Sequence, residues 1–310
     1  MKDNNKFVII ISGPTASGKT AFADKLALKF NGEIINADMG QFYTSFNIGT
    51  AKPDWKNGAV KNHLFDILDE PKDFSVVEYK NLVLAKIKEI FNKNKTPILV
   101  GGSLFYLKSL YFLPIEFQNK KDNLNLINQD NKIYSWDLLN QIDPERATKI
   151  HKNDTYRINR ALDIWYNFGI KPSQAEPVFN PEFNSLFIYL NMNKNILHER
   201  INTRTKLMFN SGWVQEVEPY INTEWEEFFK KKGFIGYYEI AQWIKNGKQE
   251  NMLPELINNI VCQTRQYAKR QETFWKSFKL LLQNSNNKRF ICKILEINDL
   301  EKINLESIKL

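Results

Sequence analysis

A short apolar run, a glycine-bounded loop and a helical pattern follow one another at the start of this chain. Residues 7–11 are apolar and mostly β-branched, which predicts a short buried strand. Residues 13–20 then read Gly-Pro-Thr-Ala-Ser-Gly-Lys-Thr and fit the phosphate-loop pattern G-x-x-x-x-G-K-[ST]. Residues 21–30 repeat their apolar positions at helical spacing. Strand, loop and helix in this order favour a phosphate-binding loop over an ordinary glycine turn that opens a helix.

The residue types of this loop suit a phosphate group. Its glycines let backbone N–H groups close around phosphate oxygens at a helix N-terminus. Lys19 brings a cation to the terminal phosphates, and the Thr20 hydroxyl can ligate Mg²⁺, which we therefore expect as a cofactor. The loop alone does not distinguish a nucleotide from another diphosphate. The residues predicted to bind the phosphates are Gly13, Pro14, Thr15, Ala16, Ser17, Gly18, Lys19 and Thr20.

Strand and helix patterns alternate through the first hundred residues. Apolar runs at 34–35 and 98–100 each end in a polar or glycine-rich turn, and residues 76–90 between them have helical periodicity. Such alternation predicts a parallel sheet with ligands beyond the carboxyl ends of its strands. Asp38, Gly101 and the loop at Gly13 should therefore meet at one edge of the sheet.

The pattern changes near Pro114 and changes back near residue 182. Residues 119–131 are polar, residues 136–166 read as helices, and residues 187–190 are again a strand-like run. We predict an α/β fold, with a P-loop NTPase-like parallel sheet flanked by helices and a helical insertion domain. The first part of the core is 1–114, the insertion is 115–182, and 183–310 is the rest of the core with a mostly helical C-terminal region. The run at 291–297 is a strand or a tail.

Composition restricts the class of partner and the compartment. With 43 Lys and Arg against 35 Asp and Glu, the net charge of +8 favours a polyanionic partner. The two cysteines, Cys262 and Cys292, form neither a CxxC pair nor a disulfide framework, which fits a reducing cytoplasm. The apolar run at the start is too short for a signal peptide, and no run approaches a membrane span, so we expect a cytoplasmic protein that does not contact membranes.

A series of short motifs follows the phosphate loop in a fixed order. Together with that loop, the series closely resembles the tRNA dimethylallyltransferase family, also called isopentenyl-diphosphate:tRNA transferases, over nearly the whole chain. Each block is weak alone, and their shared order makes the match specific. The blocks are residues 38–43, 48–53, 63–69, 101–106, 143–144, 150–154, 157–162, 212–214, 235–237 and 264–271.

The resemblance implies a reaction and roles for three residues. It implies that the loop holds the diphosphate of dimethylallyl diphosphate, whose five-carbon group moves to N6 of the adenosine just 3′ of the anticodon. Asp38 is then the base that takes the N6 proton, with a Mg²⁺-associated carboxylate or a helix cap as the alternative. Thr15 contacts the bridging region of the leaving diphosphate, and an arginine of the predicted helix after residue 196 reaches it. Arg204 is favoured over Arg200, which lies four residues earlier on the same face.

The resemblance also implies an RNA interface. The target base must leave the anticodon loop stack, so a pocket must receive it. Residues 38–41 and Ser103 line its path, and the insertion contacts the anticodon arm. Cations mixed with aromatics at 269–276 suit phosphates and stacked bases, with an amphipathic helix as the alternative. The predicted tRNA contacts are Asp38, Met39, Gly40, Gln41, Ser103, Arg157, Arg160, Lys232, Gly236, Tyr237, Lys269, Arg270, Gln271 and Trp275.

Two segments depart from the family pattern. The usual GGTGLY reads Gly-Gly-Ser-Leu-Phe-Tyr at 101–106, so Leu104 replaces a glycine and Ser103 a threonine. Met39 and Gly40 stand after the predicted base. These changes fall among or beside the residues predicted to line the path of the target base. Three other functions stay open: an adenylate isopentenyltransferase acting on free nucleotide, a small-molecule kinase, and an RNA-binding protein without activity. Nothing in the sequence demands more than a monomer.

Overall fold

The computed structural model describes residues 6–113, 132–175, 177–285, 289–300 and 302–310. It divides into two compact units. The core unit takes the chain up to Lys108 and from Glu182 onward, and the insertion unit is Ser109–Pro181. The sequence analysis placed the insertion at 115–182, so the unit begins earlier than that boundary. Residues 114–131, which include the polar stretch at 119–131, lie outside the described residues.

The core unit is built on a parallel sheet, as predicted. The strands are β1 (Phe7–Ser12), β2 (Gly32–Asn36), β3 (Asn62–His63), β4 (Thr96–Val100), β7 (Asn184–Leu190) and β8 (Cys292–Ile297). Their order in the sheet is β3-β2-β4-β1-β7-β8, and every neighbouring pair is parallel. The run at 291–297 contributes an edge strand rather than a tail.

Helices cover the sheet, and local sequence explains where they begin. In α2 the Ser75 side chain accepts a hydrogen bond from the Glu78 N–H, and the Glu78 carboxylate accepts one from the Ser75 N–H. The helix α11 is long, and Pro254 occupies its first turn, where no N–H partner is needed. The helices of the core unit are α1 (Lys19–Lys29), α2 (Val76–Asn92), α3 (Leu104–Ser109), α7 (Lys194–Asn210), α8 (Trp213–Val217), α9 (Glu224–Lys232), α10 (Tyr237–Lys245) and α11 (Leu253–Asn284).

The central strands are buried on both faces, which explains their nearly continuous apolar runs. Every residue of β1 and of β7 is buried. On one face, Phe22 and Leu26 of α1 pack against β1, which confirms the helical spacing read from residues 21–30. In the described part of the chain, no helix is both long and apolar enough to cross a bilayer.

The insertion unit has its own small core. Leu139, Ile150, Leu162 and Tyr166 are buried together within it. The Asp143 carboxylate caps α5 by accepting from the Arg146 N–H at 3.1 Å and also accepts from the Ser173 N–H at 2.6 Å. The elements of this unit are β5 (Phe112–Leu113), α4 (Trp136–Ile142), α5 (Pro144–Thr148), α6 (Thr155–Phe168) and β6 (Val178–Phe179), with β5 and β6 antiparallel.

The carboxyl ends of the central strands approach one another very closely. The Ser12 hydroxyl at the end of β1 donates to the carbonyl oxygen of Gly101, after β4, at 2.8 Å. A Cβ at Gly101 would lie 1.9 Å from the carbonyl oxygen of Ala37, after β2. Only glycine fits between these backbones, so the loops after β1, β2 and β4 form one continuous edge.

Trp275 of α11 lies inside this fold. Only 2% of its surface is exposed, and its ring stacks on Tyr189 and Phe187 of β7 with centroids 4.4 and 4.8 Å away. Its Nε1 donates to Glu296 of β8 at 2.7 Å. The prediction that Trp275 contacts tRNA is therefore wrong, because the ring joins the helix to the sheet and has no free face.

We expect Trp275→Ala to lower the free energy of unfolding by about 3–5 kcal/mol, because it leaves a cavity against the sheet. Urea denaturation followed by circular dichroism measures this loss. Lys276→Ala, at the exposed neighbouring position, is the control and should change stability by less than about 0.5 kcal/mol. Equal stability of the two variants would contradict the packing role.

Candidate active site

The loop between β1 and α1 has the backbone that phosphate binding requires. Gly18 caps α1 with φ of +87° and offers no side chain to the first N–H groups of the helix. Gly13 has φ of +156°, and a Cβ there would lie 2.7 Å from the carbonyl oxygen of Leu190. The Ser17 hydroxyl oxygen is buried and has no hydrogen-bond partner among the described residues. These features leave the helix N-terminus open to an anion.

Lys19 is folded back onto its own loop. Its Nζ donates to the carbonyl oxygens of Gly13 at 3.0 Å and Pro14 at 2.8 Å. Burial lowers the pKa of Lys19 to about 8; the carboxylate of Asp38 opposes this shift, and the guanidinium of Arg204 adds to it. A bound anion would stabilise the charged ammonium and offset the cost of burial.

Asp38 is fixed at the end of β2. Its N–H donates to Asn36 Oδ1 at 2.9 Å, and its Oδ1 accepts from the Gly40 N–H at 3.2 Å, which starts a turn of 3₁₀ helix at Met39–Phe42. The other oxygen, Oδ2, faces Gly102, where a Cβ would lie 3.6 Å from it. The carboxylate is therefore held by one oxygen and presents the second towards the loop after β4.

Two neighbouring side chains brace the turn that carries Asp38. Ser103 Oγ accepts from the Met39 N–H at 3.0 Å. Gln41 Nε2 donates to the carbonyl oxygens of Thr50 at 3.1 Å and Ala51 at 3.3 Å. Ser103 and Gln41 thus attach the turn to the loop after β4 and to residues 50–51.

Gln271 connects α11 to two of the loops. Its Oε1 accepts from the Thr15 N–H at 2.8 Å, and its Nε2 donates to the carbonyl oxygen of Gly102 at 2.9 Å. The side chain is buried. It was predicted to contact tRNA, but both ends of its amide are used inside the protein, so its role is to join the phosphate loop to the end of β4.

A cavity of about 590 Å³ opens where these loops meet. Its lining includes Thr15, Asp38, Arg204 of α7 and Tyr267 of α11. Burial lowers the pKa of Arg204, with Asp38 opposing, and burial raises the pKa of Tyr267 with a further contribution from Asp38. A carboxylate, a guanidinium and a phenol therefore line one cavity.

A second cavity, of about 320 Å³, lies beside the first. Its wall includes Lys19 and Thr20 of the phosphate loop, Asp24 of α1, and Asp38 again. Because Asp38 belongs to the walls of both cavities, groups placed in either one can approach the same carboxylate.

Whether this site suits Mg²⁺ depends on the oxygen atoms of the residues that line it. No group of three or more His, Cys, Asp or Glu residues within the described ranges is arranged to hold a metal ion. The second cavity nevertheless has the Thr20 hydroxyl and the Asp24 and Asp38 carboxylates in its wall, and Mg²⁺ takes oxygen ligands, commonly one or two carboxylates with phosphates and water. These residues therefore fit Mg²⁺ only if a bound diphosphate supplies the remaining oxygen ligands.

Comparison with known proteins identifies the family. The family model described as IPP transferase matches residues 41–278. A tRNA dimethylallyltransferase of Thermoanaerobacter sp. (strain X514) is 36% identical over 287 residues, which is 88% of this chain and 90% of that protein. The chain belongs to the IPP transferase family. The resemblance noted from the ordered motifs is thereby confirmed.

Solved structures of family members are also similar to this chain. A eukaryotic dimethylallyltransferase acting on tRNA matches 96% of this chain and 75% of its own, with a TM-score of 0.72 and 28% identity. The tRNA isopentenylpyrophosphate transferase of Bacillus halodurans matches 96% of this chain and 93% of its own, with a TM-score of 0.62 and 29% identity. Together with the parallel sheet, these likenesses confirm the predicted fold class.

The three residues predicted to be catalytic lie around the first cavity. Thr15, Asp38 and Arg204 all line it, whereas Arg200 is exposed and does not. Arg200 still lies near the phosphate loop, since its Nη1 would be 3.8 Å from a Cβ at Gly18. The catalytic roles stay predictions, and the geometry favours Arg204 over Arg200 as the arginine nearer to Asp38.

Gly236 and Tyr237 belong to the framework of the site. A Cβ at Gly236 would lie 2.2 Å from the Trp213 ring. Tyr237 is 1% exposed, and its hydroxyl donates to Glu216 at 2.7 Å. Trp213 and Glu216 thus occupy the space around these two residues, and a contact of Gly236 or Tyr237 with tRNA stays a prediction.

Glu216 is an important residue that the sequence analysis did not find. Its Oε2 accepts from the N–H groups of Asn47 at 2.8 Å and Ile48 at 2.7 Å, and its Oε1 accepts from the Gly49 N–H at 3.1 Å. This one carboxylate therefore holds residues 47–49 as a wall of the first cavity, which Gly49 lines. No local pattern indicates it, since the loop is more than 160 residues earlier.

Five further predicted RNA contacts are cations at or near the surface. Lys269 and Arg270 of α11 are exposed, and Lys232 of α9 pairs with Asp73, which holds the pKa of that carboxyl below its usual range. In the insertion unit, Arg157 and Arg160 are exposed on α6, and Arg157 pairs with Asp154 at 2.9 Å. At each of these five positions the cation lies at or near the surface, where it can contact RNA phosphates.

We expect Gln271→Leu to reduce the free energy of unfolding by about 1–3 kcal/mol, because the Thr15 N–H and the Gly102 carbonyl would lose their partner. Thermal or urea unfolding measures the difference. Gln266→Leu makes the same substitution at an exposed position of the same helix and serves as the control. If the two variants unfolded alike, Gln271 would not be the connection that the hydrogen bonds indicate.

Proposed function

We propose that this protein transfers the dimethylallyl group of dimethylallyl diphosphate to N6 of the adenosine just 3′ of the anticodon of tRNA, with release of pyrophosphate. Membership in the IPP transferase family supports this function. The observation that carries it is the placement of Asp38: one carboxylate lies in the walls of two cavities, next to a phosphate loop.

The reaction needs a base close to a weak nucleophile. In the proposed step, the N6 nitrogen attacks C1 of the dimethylallyl group, the C1–O bond to the diphosphate breaks, and the N6 proton passes to Asp38. The Oδ2 atom makes no hydrogen bond within the part of the chain that the structure describes, so it can accept that proton. A positioned carboxylate base contributes about 10²–10⁴-fold to such a proton transfer.

The leaving diphosphate gains charge as the bond breaks. Lys19 and Arg204 are two cations already placed beside Asp38, and the N–H groups at the start of α1 face the same loop. The Thr15 N–H is fixed by Gln271, and Thr15 lines the first cavity. Preorganised donors of this kind stabilise charge that develops in the transition state. Bound Mg²⁺, held by Thr20 and the diphosphate, would add positive charge there.

The proposed partner is the anticodon stem-loop of tRNA. Its phosphates suit the exposed Lys269 and Arg270 of the core unit and the exposed Arg157 and Arg160 of the insertion unit. A protein that modifies free nucleotide needs no such surface, and a small-molecule kinase would consume ATP. The tRNA substrate also favours the cytoplasm as its place of action.

One assay separates the candidate functions. The protein is incubated with radiolabelled dimethylallyl diphosphate, Mg²⁺ and unmodified tRNA, with AMP and ATP in parallel reactions, and the digested nucleosides are chromatographed. The proposal requires label in N6-isopentenyladenosine from tRNA. Label in AMP would favour the free-nucleotide enzyme, ATP consumption would favour the kinase, and tRNA binding without transfer would favour an inactive RNA-binding protein.

We expect Asp38→Asn to lower turnover by about 10²-fold or more, because the amide cannot take the N6 proton. The affinity for tRNA, measured by filter binding, should stay similar. Asp69→Asn alters an exposed carboxylate and is the matched control. Near-normal turnover of Asp38→Asn would remove Asp38 as the base.

A further inference from the structure

Phe105 is exposed at the edge of the first cavity. It lies in the first turn of α3, and 57% of its surface is accessible although its ring lines the cavity. Its two neighbours face inward: Leu104 is 3% exposed, and Tyr106 is 8% exposed with its hydroxyl donating to the carbonyl oxygen of Phe74 at 2.5 Å. The first turn of α3 is therefore anchored by two buried residues and presents the Phe105 ring outward.

The exposed ring has little packing role in the protein itself. Within the described residues its one ring contact is an edge-on contact with adjacent Tyr106, with centroids 6.4 Å apart. At this position of the segment 101–106, the family pattern has leucine, as noted above. A planar ring in place of a branched side chain adds a flat apolar face at the opening of the site.

Other groups around the same cavity suit RNA. Arg270 is exposed, and Lys232 and the ring of Phe274 are partly exposed, and all three line the cavity with Phe105. Aromatic rings mixed with cations are the usual means by which proteins hold single-stranded nucleic acid, because bases stack on the rings while cations meet the phosphates. This composition favours RNA over a protein partner at the opening.

The proposed reaction creates a need for such a ring. For N6 to reach Asp38, the target adenosine must leave the stack of the anticodon loop, which costs a few kcal/mol. Its departure exposes the face of an adjacent base. An aromatic side chain at the opening can cover that face and lower the cost of keeping the target base extruded.

We propose that Phe105 stacks on the RNA base next to the extruded adenosine and so helps this protein to bind its tRNA in the reactive conformation. The inference rests on the proposed function, since it assumes an RNA base in the first cavity. It assigns Phe105 a direct contact with substrate that is separate from the chemistry at Asp38.

The test compares Phe105→Ala, Phe105→Leu and Phe105→Tyr with the unaltered protein in the tRNA transfer assay. Removal of a stacked ring should raise KM for tRNA by about 5- to 150-fold, with kcat and KM for dimethylallyl diphosphate changed little. Phe105→Tyr keeps a ring and should stay within about threefold of the unaltered protein. Phe105→Leu introduces the residue of the family pattern and should raise KM for tRNA nearly as much as Phe105→Ala does.

A salt titration of tRNA binding separates stacking from charge. Phe105→Ala should weaken binding at every salt concentration without changing the slope of log Kd against log salt, whereas Lys269→Ala should reduce that slope by about 1. An unchanged KM for tRNA in Phe105→Ala, or full activity in Phe105→Leu, would overturn the stacking proposal. If the unaltered protein transfers no label to tRNA, the proposed function fails instead, so the two failures are distinguishable.

Discussion

The candidate site depends on one buried amide. Gln271 accepts a hydrogen bond from the phosphate loop and donates one to the loop after β4, so a single side chain joins these two loops. Glycine at 101 lets the loop after β2 join the same edge. Because both ends of the amide are used, a helix from the last part of the core sets the distance between the phosphate loop and the loop that faces Asp38.

Electrostatics make this edge selective for anions. Burial lowers the pKa of both Lys19 and Arg204. The nearby Asp38 carboxylate partly offsets this shift at each residue, because it favours the charged form. Two desolvated cations around one carboxylate leave an excess of positive charge when no ligand is present. An anionic ligand would offset that excess, so the site favours an anionic group over a neutral one.

Local patterns predicted the parts of this structure that depend on neighbouring residues in sequence. The strand, loop and helix at 7–29 and the position of Asp38 follow from runs and spacings within a few residues. Trp275 was placed wrongly because cations mixed with aromatics look the same on an RNA-binding surface and on an amphipathic helix, and only the contact with Tyr189 distinguishes them. Glu216 was missed for a similar reason, since its hydrogen bonds reach a loop far away in sequence.

The order of the strands has a consequence for synthesis of the protein. β1 is made first and lies inside the sheet, whereas β8 is made last and lies at its edge, so most of the sheet can pair before the chain is finished. The two cavities around Asp38 differ in how much of the chain must be made before all their lining residues are present. The second is lined only by residues up to Gly101, but the first needs residues as far as Phe274. A growing chain on the ribosome therefore contains every lining residue of the second cavity well before it contains every lining residue of the first.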